Sequence, residues 1–466
     1  MKKNLKTLSL ATLMTLASPA FANVGAVIDS GVDFSHEKLS PIAWFNNLEV
    51  AGNRVDDDKN GKVDDINGWN FVKNTPRVFE AEMKFTDSDY AKFQLFFELQ
   101  DKDERGLGTL EDRMTQRRIF KEVGPLLEYF GGLAHGSHVT GIMTKGNTKS
   151  EIMALKIIAT DLESFTKDGI KEFNELSNKP KLSGSFFRKF LLKWMLKRLG
   201  SMKGRELKDY ALYVNQASAR VANCSWGAGY ETLEQAVSQI SKQIIGDDVS
   251  KEEITYYTNY LFEKLNHKGE RMMDKAPNTL FVFAAGNDNS SEFDANNDIR
   301  PNYPASVDSD NTITVAATID DTGIASFSNY GAKSVHVAAP GVGILSTTPQ
   351  GKMTKMSGTS MAAPNVSSIA LKMTEANDLL SPKELKQILM GTVDKKDFLK
   401  GKVVSEGVVN EARAIKAASY AKSLNIKKAI AQSFKDIPAK DSKTESLKSN
   451  SLNIEMKVAK IPSLFK

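Results

Sequence analysis

Short runs of apolar, often β-branched residues recur along the chain, and each ends in a polar residue or a glycine. Such runs are typical of strands that are buried on both faces of a parallel sheet. Segments with helix-favouring composition separate them. The runs lie at residues 24–29, 151–158, 221–227, 280–287, 313–317 and 335–341. This alternation predicts an α/β fold with a mainly parallel central sheet flanked by helices.

Three charged segments interrupt the pattern, near residues 77–130, 160–212 and 246–276. Their composition favours helix, and we interpret them as helical insertions in a domain that spans residues 23–420. From residue 421 to residue 466 the chain is rich in lysine and serine. Such a composition buries little apolar surface, so we expect a charged, partly disordered C-terminal tail.

Residues 1–22 have the three parts of a secretory signal peptide. Lys2, Lys3 and Lys6 form a basic start, an apolar run follows, and residues 20–22 provide a small-x-small cleavage site. The run is too short to cross a bilayer, so we expect export to the periplasm or the medium and no stable membrane insertion. Cys224 is the single cysteine, which excludes an intramolecular disulfide.

The net charge does not indicate a nucleic-acid partner. It is +5 for the whole chain, and without the three lysines of the signal peptide, which contains no acid, it is 5 − 3 = +2. Basic residues therefore matter only where they cluster.

One basic cluster lies in residues 186–199. On a helix, Phe187, Phe190, Leu191 and Trp194 share one face, and Lys189, Lys193 and Lys197 share another. Such a helix either docks on an anionic membrane surface or packs its apolar face on its own domain. The second outcome is the commoner one and is expected here.

The acidic stretch at residues 56–65 resembles a calcium-binding loop. Oxygen-bearing side chains stand at alternating positions around a glycine. They are Asp56, Asp58, Asn60 and Asp64. However, Asn67 stands at the twelfth position, where a bidentate glutamate is expected. A structural calcium ion and a solvated acidic turn on Asn60-Gly61 are both retained as interpretations.

Four polar side chains stand at the ends of predicted strands or beside glycines that precede helix-like runs: Asp29, His135, Asn287 and Ser360. A serine hydroxyl is a weak nucleophile and needs a base, for which histidine has a suitable pKa. An aspartate can hold the imidazole, and an asparagine amide can bind the oxyanion with the Ser360 N–H. Individually, Asp29 fits a turn and Ser360 an ordinary helix cap. Zinc at His135 and His138 is disfavoured because a third ligand is not evident.

The motifs around these residues resemble those of the subtilisin-like serine proteases, or subtilases (peptidase S8). Residues 29–33 match their Asp-Ser-Gly-Val-Asp motif, and residues 358–364 match the serine motif in full. Residues 135–141 differ from the histidine motif by one serine, and residues 284–287 match the asparagine motif. The order aspartate, histidine, serine is that of subtilisin.

This resemblance implies an exported serine endopeptidase that forms an acyl-enzyme on Ser360 during hydrolysis of proteins or peptides. It implies no cofactor for the chemistry. It also implies that one strand pairs with the substrate backbone, through Ser225, Trp226 and Gly227, and that a pocket is lined by Ala284, Ala285 and Gly286. His138 would be a structural histidine. The alternative is a catalytically silent peptide-binding module on the same fold; an esterase is disfavoured because Ser360 lacks a Gly-x-Ser-x-Gly elbow.

The chain departs from the family pattern in three places. Asn23 alone separates the signal peptide from the first strand, so we expect folding without an N-terminal prodomain, or help from an insertion or a separate inhibitor or chaperone. Between Asp29 and His135 there are 135 − 29 = 106 positions, and we expect the insertions to form walls or lids at the cleft. Asn365 and Ser368 replace the usual His and Gly, which predicts altered packing and intact chemistry.

Overall fold

A large, mostly parallel sheet organises the protein. The computed structural model describes residues 23–146, 149–161, 185–246, 249–289 and 294–439. The strands are β1 (Asn23–Asp29), β2 (Gly68–Asn70), β3 (Ser150–Lys156), β4 (Val221–Cys224), β5 (Leu280–Ala284), β6 (Thr312–Ile319), β7 (Gly323–Ile324), β8 (Val337–Pro340), β9 (Ile344–Thr348), β10 (Lys352–Met356), β11 (Asp394–Lys395) and β12 (Gly407–Val408). The main sheet runs β11-β12-β8-β6-β5-β4-β1-β3-β2, and β9 and β10 form a separate hairpin.

Strand direction confirms the predicted α/β class. Every neighbouring pair from β12 to β2 is parallel, and only the β11–β12 pair and the short β7 beside β6 are antiparallel within this sheet. Parallel pairing needs crossover connections, which helices provide. The helices are α1 (Asp87–Glu104), α2 (Leu110–Met143), α3 (Ser185–Gln216), α4 (Tyr230–Ile244), α5 (Lys251–Met273), α6 (Thr359–Ala376), α7 (Pro382–Gly391), α8 (Glu411–Tyr420) and α9 (Ile426–Asp436).

Helices cover both faces of the sheet, which is why its central strands are apolar without alternation. In β1, Ala26 and Ile28 belong to the core beneath α3, α4 and α5, while Val27 belongs to the core beneath α2 and α6. Successive side chains of a strand point to opposite faces. The middle of β1 is therefore buried on both sides.

The structure has helices in all three predicted insertions. The first contains α1 and the start of α2, and each of these helices begins with a capping box, at Thr86 and at Thr109. However, α2 does not stop near residue 130. It continues to Met143, with a kink at Val123 next to Pro125, so the end of the insertion is not a structural boundary.

The predicted C-terminal tail begins too early. Helix α9 packs against α7 and α8 and buries Ala429 and Ser433. The fully buried Arg413 donates hydrogen bonds to the carbonyl oxygens of Ile437 (2.8 Å) and Pro438 (2.9 Å). Residues up to 439 thus belong to the folded unit, because a buried guanidinium needs these acceptors. The rest of the predicted tail lies outside the described residues, as does the predicted signal peptide.

The basic helix predicted at residues 186–199 forms the start of α3, but its aromatic face is not covered by the described part of the chain. Leu192 and Leu196 are buried, whereas Phe187 is 48%, Phe190 61% and Trp194 45% exposed. Within the described residues, this face therefore lacks the packing that was expected for it. Across the described residues, helices are too short or too polar to span a bilayer.

Candidate active site

Asp29 and His135 form a buried pair at the carboxyl edge of the sheet. Asp29 is the last residue of β1, and its Oδ1 lies 2.7 Å from His135 Nδ1. The same oxygen accepts the backbone N–H of Ser30 at 2.6 Å. Because a carboxylate only accepts, the imidazole proton is assigned to Nδ1. His135 Nε2 is then an acceptor, and it is buried without a hydrogen-bond partner among the described residues.

The backbone of α2 at Gly136 approaches the residues after β1 closely, which holds His135 beside Asp29. Gly136 N–H donates to Ser30 Oγ at 3.0 Å, and a Cβ at Gly136 would lie 2.2 Å from the carbonyl oxygen of Gly31. Only glycine fits there. His135 itself lies in the interior of α2, so its predicted place at a helix start is wrong. The insertion extends the helix upstream of the motif.

His138 lies one turn later on α2 and faces a different partner. Its Nε2 donates to the Thr354 carbonyl oxygen at 2.9 Å, which ties α2 to β10. Burial lowers the pKa of His138 to about 3, so the ring is neutral at ordinary pH. Asp29 and Thr354 hold the two imidazoles separately, and the pair does not form a metal site.

Ser360 lies in the first turn of α6, as predicted, but its hydroxyl does not bond to the imidazole. Gly358 is the N-cap residue. Ser360 Oγ donates to the Ser225 carbonyl oxygen at 3.2 Å, and Ser225 Oγ donates to the Ser360 carbonyl oxygen at 2.9 Å. This reciprocal pair fixes the start of α6 on the end of β4.

Asn287 follows β5 and has its side-chain amide in a defined orientation. Its Oδ1 accepts the Thr359 N–H at 2.8 Å and the Thr359 hydroxyl at 2.9 Å. A backbone N–H can only donate, so Oδ1 faces Thr359 and Nδ2 is the free end of the amide. A Cβ placed on Gly358 would lie 3.4 Å from this Nδ2, which locates the amide donor beside the Ser360 turn.

The predicted substrate-binding residues surround this turn with little exposure. Ser225 and Trp226 are buried, and Gly227 is exposed. The next residue, Ala228, already uses its backbone in a hydrogen bond, since its N–H donates to the Tyr303 carbonyl oxygen at 2.7 Å. On β5 and after it, the buried residues are Ala284 and Ala285, while Gly286 is partly exposed.

Asn329 supports the loop that carries Asn287. The Asn329 side chain bonds the Asp288 N–H (2.7 Å) and carboxylate (3.0 Å), and its backbone N–H donates to the Gly286 carbonyl oxygen at 2.9 Å. At Gly286, with φ of +114°, a Cβ would lie 2.5 Å from Asn329 Nδ2, so only glycine fits. The sequence signal that could have identified Asn329 is the Ser-Phe-Ser-Asn-Tyr-Gly stretch at 326–331.

Lys156 was not predicted from the sequence. It is paired with Asp29 in the β1–β3 register, and its buried Nζ donates to the Ser30 carbonyl oxygen (2.5 Å) and to Thr160 Oγ1 (2.7 Å). Burial lowers the pKa of Lys156 to about 8. The charge of Lys156, on the strand beside Asp29, therefore depends on pH near neutrality.

The structure assigns the acidic loop differently from the sequence. Asp64 accepts the backbone N–H groups of Gly52 and Arg54, and Asp56 accepts those of Asn60 and Gly61. Asn60 donates its side-chain amide to its neighbours. Of the four predicted ligands, only Asp58 joins a set of carboxylates whose oxygens lie within 4.8 Å of one another.

That carboxylate set consists of Glu49, Asp58 and Asp65. Asp65 is fully buried, and burial raises its pKa. Tyr213 of α3 donates to Asp65 Oδ2 at 2.7 Å, which ties the loop to that helix. Asn46 and Asn60 donate their side-chain amides to Asp58 and Asp65. Carboxylate oxygens are the donors that hard cations such as Ca²⁺ prefer, so this set, and not the predicted one, has the composition of a cation site.

Comparison with known proteins identifies the fold family. The family model Peptidase_S8, described as the subtilase family, matches residues 24–410. The chain belongs to the subtilase family. It is 37% identical over 165 residues to the extracellular basic protease of Dichelobacter nodosus, which covers 33% of this chain and 26% of that protein.

Other subtilases are similar over more of the chain. Subtilisin-like protease 1 of Plasmodium falciparum is 26% identical over 425 residues, or 88% of this chain and 45% of that protein. The chain thus spans less than half the length of these curated relatives. Among solved structures, a cold adapted subtilisin-like serine proteinase has a TM-score of 0.41 at 18% identity, over 84% of this chain and 89% of that one. The PatG macrocyclase domain has a TM-score of 0.47 at 16% identity, over 86% and 92%.

Proposed function

We propose that the protein is a serine endopeptidase that cleaves protein or peptide substrates through an acyl-enzyme on Ser360. The observation that carries this proposal is the buried Asp29–His135 pair, in which Nδ1 is engaged and Nε2 is unpartnered. An imidazole held this way can take a proton from a serine hydroxyl. Membership of the subtilase family supports the same reaction.

The chemistry begins with the Ser360 hydroxyl. It leaves the Ser225 carbonyl oxygen and turns toward His135 Nε2, which takes its proton as Oγ bonds to the substrate carbonyl carbon. The carbonyl electron pair moves to oxygen, and this oxyanion accepts hydrogen bonds from Asn287 Nδ2 and the Ser360 N–H. His135 then protonates the leaving amine as the C–N bond breaks. A water molecule repeats the sequence on the acyl-enzyme and releases the acid.

The surrounding residues bind and position the groups that react. Asp29 stabilises the imidazolium and fixes the ring. The exposed backbone at Gly227 can pair with an extended substrate, and Gly286 borders the position of the residue before the scissile bond. Every step uses side chains and backbone groups of this chain and a water molecule.

A fluorophosphonate probe tests the proposal, because it phosphonylates only an activated serine. We expect residues 23–466 to be labelled and to cleave a casein substrate, and Ser360→Ala to do neither. Ser419→Ala is the control, since Ser419 is exposed on α8 and its hydroxyl donates to the Ile415 carbonyl oxygen of the same helix. If folded wild-type protein binds peptides but is neither labelled nor active, the silent peptide-binding module is the correct function.

Two finer properties belong to the same proposal. We infer export through the signal peptide of residues 1–22, which fits the word extracellular in the name of one relative. We also infer a structural Ca²⁺ at Glu49, Asp58 and Asp65. Addition of Ca²⁺ should raise the melting temperature of Ser360→Ala protein, and Asp65→Asn should remove that shift. An equal shift in both proteins would contradict the assignment.

A further inference from the structure

Helix α3 carries two apolar stripes with different environments. The inner stripe packs against α5, and its small residues allow close contact: a Cβ on Gly200 would lie 3.1 Å from Lys264 Cβ, and one on Gly204 would lie 2.8 Å from Lys268 Cβ. The outer stripe is exposed. It consists of Phe187, Phe190, Trp194 and Met202, at spacings of three, four and eight residues. These four residues are called the outer stripe below.

The outer stripe is aromatic and contiguous. The rings of Phe187 and Phe190 lie 6.4 Å apart, and the guanidinium of Arg198 lies 5.5 Å from the ring of Trp194. Next to them on α5, Tyr256 is 50% exposed and takes Lys193 Nζ at 4.8 Å from its ring. Aromatic side chains clustered at this exposure are unusual on a free soluble surface and mark an interaction site.

The charge around the outer stripe is strongly positive. Residues 186–205 contain seven lysines and arginines and no acid, whereas the whole chain after residue 22 has a net charge of only +2. Lys197, Arg198 and Arg205 are exposed. Two of these seven charges are neutralised, because Lys189 pairs with Glu253 of α5 and Lys203 pairs with Glu206.

We propose that the outer stripe of α3 docks the protein on the surface of an anionic phospholipid bilayer. A helix with Phe and Trp on one side and Lys and Arg beside them lies in the plane of the membrane interface, with its rings at the level of the headgroups. Lipid headgroups supply negative charge to the exposed Lys197, Arg198 and Arg205. Docking goes beyond the proposed peptidase activity and does not depend on it.

Trp194 provides a specific probe of this docking. The chain has four tryptophans, and Trp44, Trp69 and Trp226 are buried at 9%, 4% and 5% exposure. A change in tryptophan emission on addition of vesicles therefore reports Trp194. With Ser360→Ala protein, vesicles of phosphatidylglycerol and phosphatidylcholine should shift the emission to the blue and sediment the protein. Vesicles of phosphatidylcholine alone should bind at least tenfold more weakly, since each basic residue contributes roughly a fivefold effect.

Two double variants separate the apolar and the charged contributions. Phe187→Ser with Phe190→Ser should abolish sedimentation, and Lys197→Glu with Arg198→Glu should weaken it by more than tenfold. The matched controls are Leu379→Ser, at an 84% exposed leucine outside α3, and Lys427→Glu with Lys428→Glu on α9. The controls should bind as the parent does, and all variants should keep its melting temperature, because the substituted side chains are exposed.

Three results would overturn the proposal. The first is no sedimentation with anionic vesicles, or equal sedimentation of parent and both double variants. The second is a dimer in sedimentation velocity that Phe187→Ser with Phe190→Ser dissociates, since a second copy would then cover the stripe. The third is Trp194 emission that is already blue and protected from acrylamide without vesicles, since another segment of the chain would then cover it.

Discussion

At the scale of single residues, Asn287 shows how a donor can be oriented before substrate arrives. Thr359 holds Oδ1 with two hydrogen bonds, so the amide cannot flip without losing both. Nδ2 is thereby kept beside the Ser360 turn. Preorganised donors stabilise a transition state because little reorientation is needed at the moment of reaction.

Asn287→Ala should lower kcat by ~10²–10³-fold with little change in KM, a size that comes from the equivalent loss in the relative subtilisin and not from this chain. Steady-state kinetics on a peptide substrate measure it. Asn289→Ala is the control, because Asn289 lies two residues away and bonds to the Ser326 carbonyl oxygen. A similar loss in both variants would point to disturbance of the loop instead of loss of a donor.

Lys156 predicts a pH dependence of stability. Its pKa in the folded protein is about 8, below the ordinary 10.5, because burial disfavours the cation. Between these values the unfolded chain keeps a proton that the folded chain has released, so the contribution of Lys156 to stability rises with pH. Relative to Lys156→Met, the protein should gain about 2 kcal/mol in free energy of unfolding between pH 7.5 and pH 10.

Urea unfolding in the Ser360→Ala background measures this difference without autolysis. The gain is taken between the parent and Lys156→Met at each pH, which cancels the titration of groups common to both. A difference that stays constant, or that falls as pH rises, would show that Lys156 remains charged in the folded state across this range.

At the scale of elements, the end of α1 joins the first insertion to the loops near the site. Arg105 bonds to Asp101 (2.5 Å) and Asp320 (2.6 Å) and to the Val342 carbonyl oxygen (3.2 Å). The Glu104 carboxylate accepts from both the N–H and the hydroxyl of Ser326. The insertion is thus fastened to two loops of the catalytic core.

Arg105→Ala should lower the free energy of unfolding by about 1–2 kcal/mol, since the pairs are charge-assisted but partly exposed. It should also lower kcat/KM, because Gly343, next to Val342, bonds to Ser357 in the serine turn. Thermal unfolding and peptide kinetics measure the two effects. Arg117→Ala, at an exposed position on α2, should change neither. Unchanged kinetics in Arg105→Ala would separate the insertion from catalysis.

Sequence motifs predicted the local placement of some of the proposed catalytic residues, but not always the elements that carry them. Asp29 and Ser360 stand where their strand end and helix start were predicted, because glycines and apolar runs determine those places locally. The position of His135 inside α2 was not predictable from its motif, since it depends on a helix that begins 25 residues earlier, at Leu110. The exposure of Phe187 depends on which partner lies beside α3, and a sequence pattern does not contain that information.

The carboxylate cluster illustrates the same limit. A loop pattern gives the spacing of acids, but not which backbone N–H groups lie near them. Asp64, with φ of +59°, turns to Gly52 and Arg54, and Glu49 enters from outside the pattern. Only the folded loop shows which carboxylates remain together.

At the scale of the whole molecule, the class of fold follows from the sequence, because strands buried on both faces need continuous apolar runs. The extent of the folded unit does not follow. The lysine and serine content of residues 421–466 obscured the boundary, although Ile426 and Ile430 pack against the core. Arg413 then binds the carbonyl groups of Ile437 and Pro438.

A chain that ends at residue 424 should therefore be less stable than one that ends at residue 439, by about 3 kcal/mol or more. Arg413 would keep its contacts with Asp394 and the Thr392 carbonyl oxygen but lose two acceptors, and a buried charge with lost partners is costly. Chemical unfolding of the two chains in the Ser360→Ala background measures the difference. Equal stability would show that the C-terminal helix is not part of the cooperative unit.

The continuity of α2 has a geometric consequence for the length of the insertion. A helix advances about 1.5 Å and turns about 100° with each residue. One residue added between Pro125 and His135 would therefore rotate the part of α2 before the addition by about 100° relative to the His135 imidazole. Either His135 would swing away from Asp29, or the upstream arm would present its polar side to α1. Only additions close to whole turns, such as seven residues, keep both the upstream part of α2 and His135 in their present orientations. The length of α2 before His135 is therefore restricted to whole turns, whereas a loop in the same place could vary by single residues.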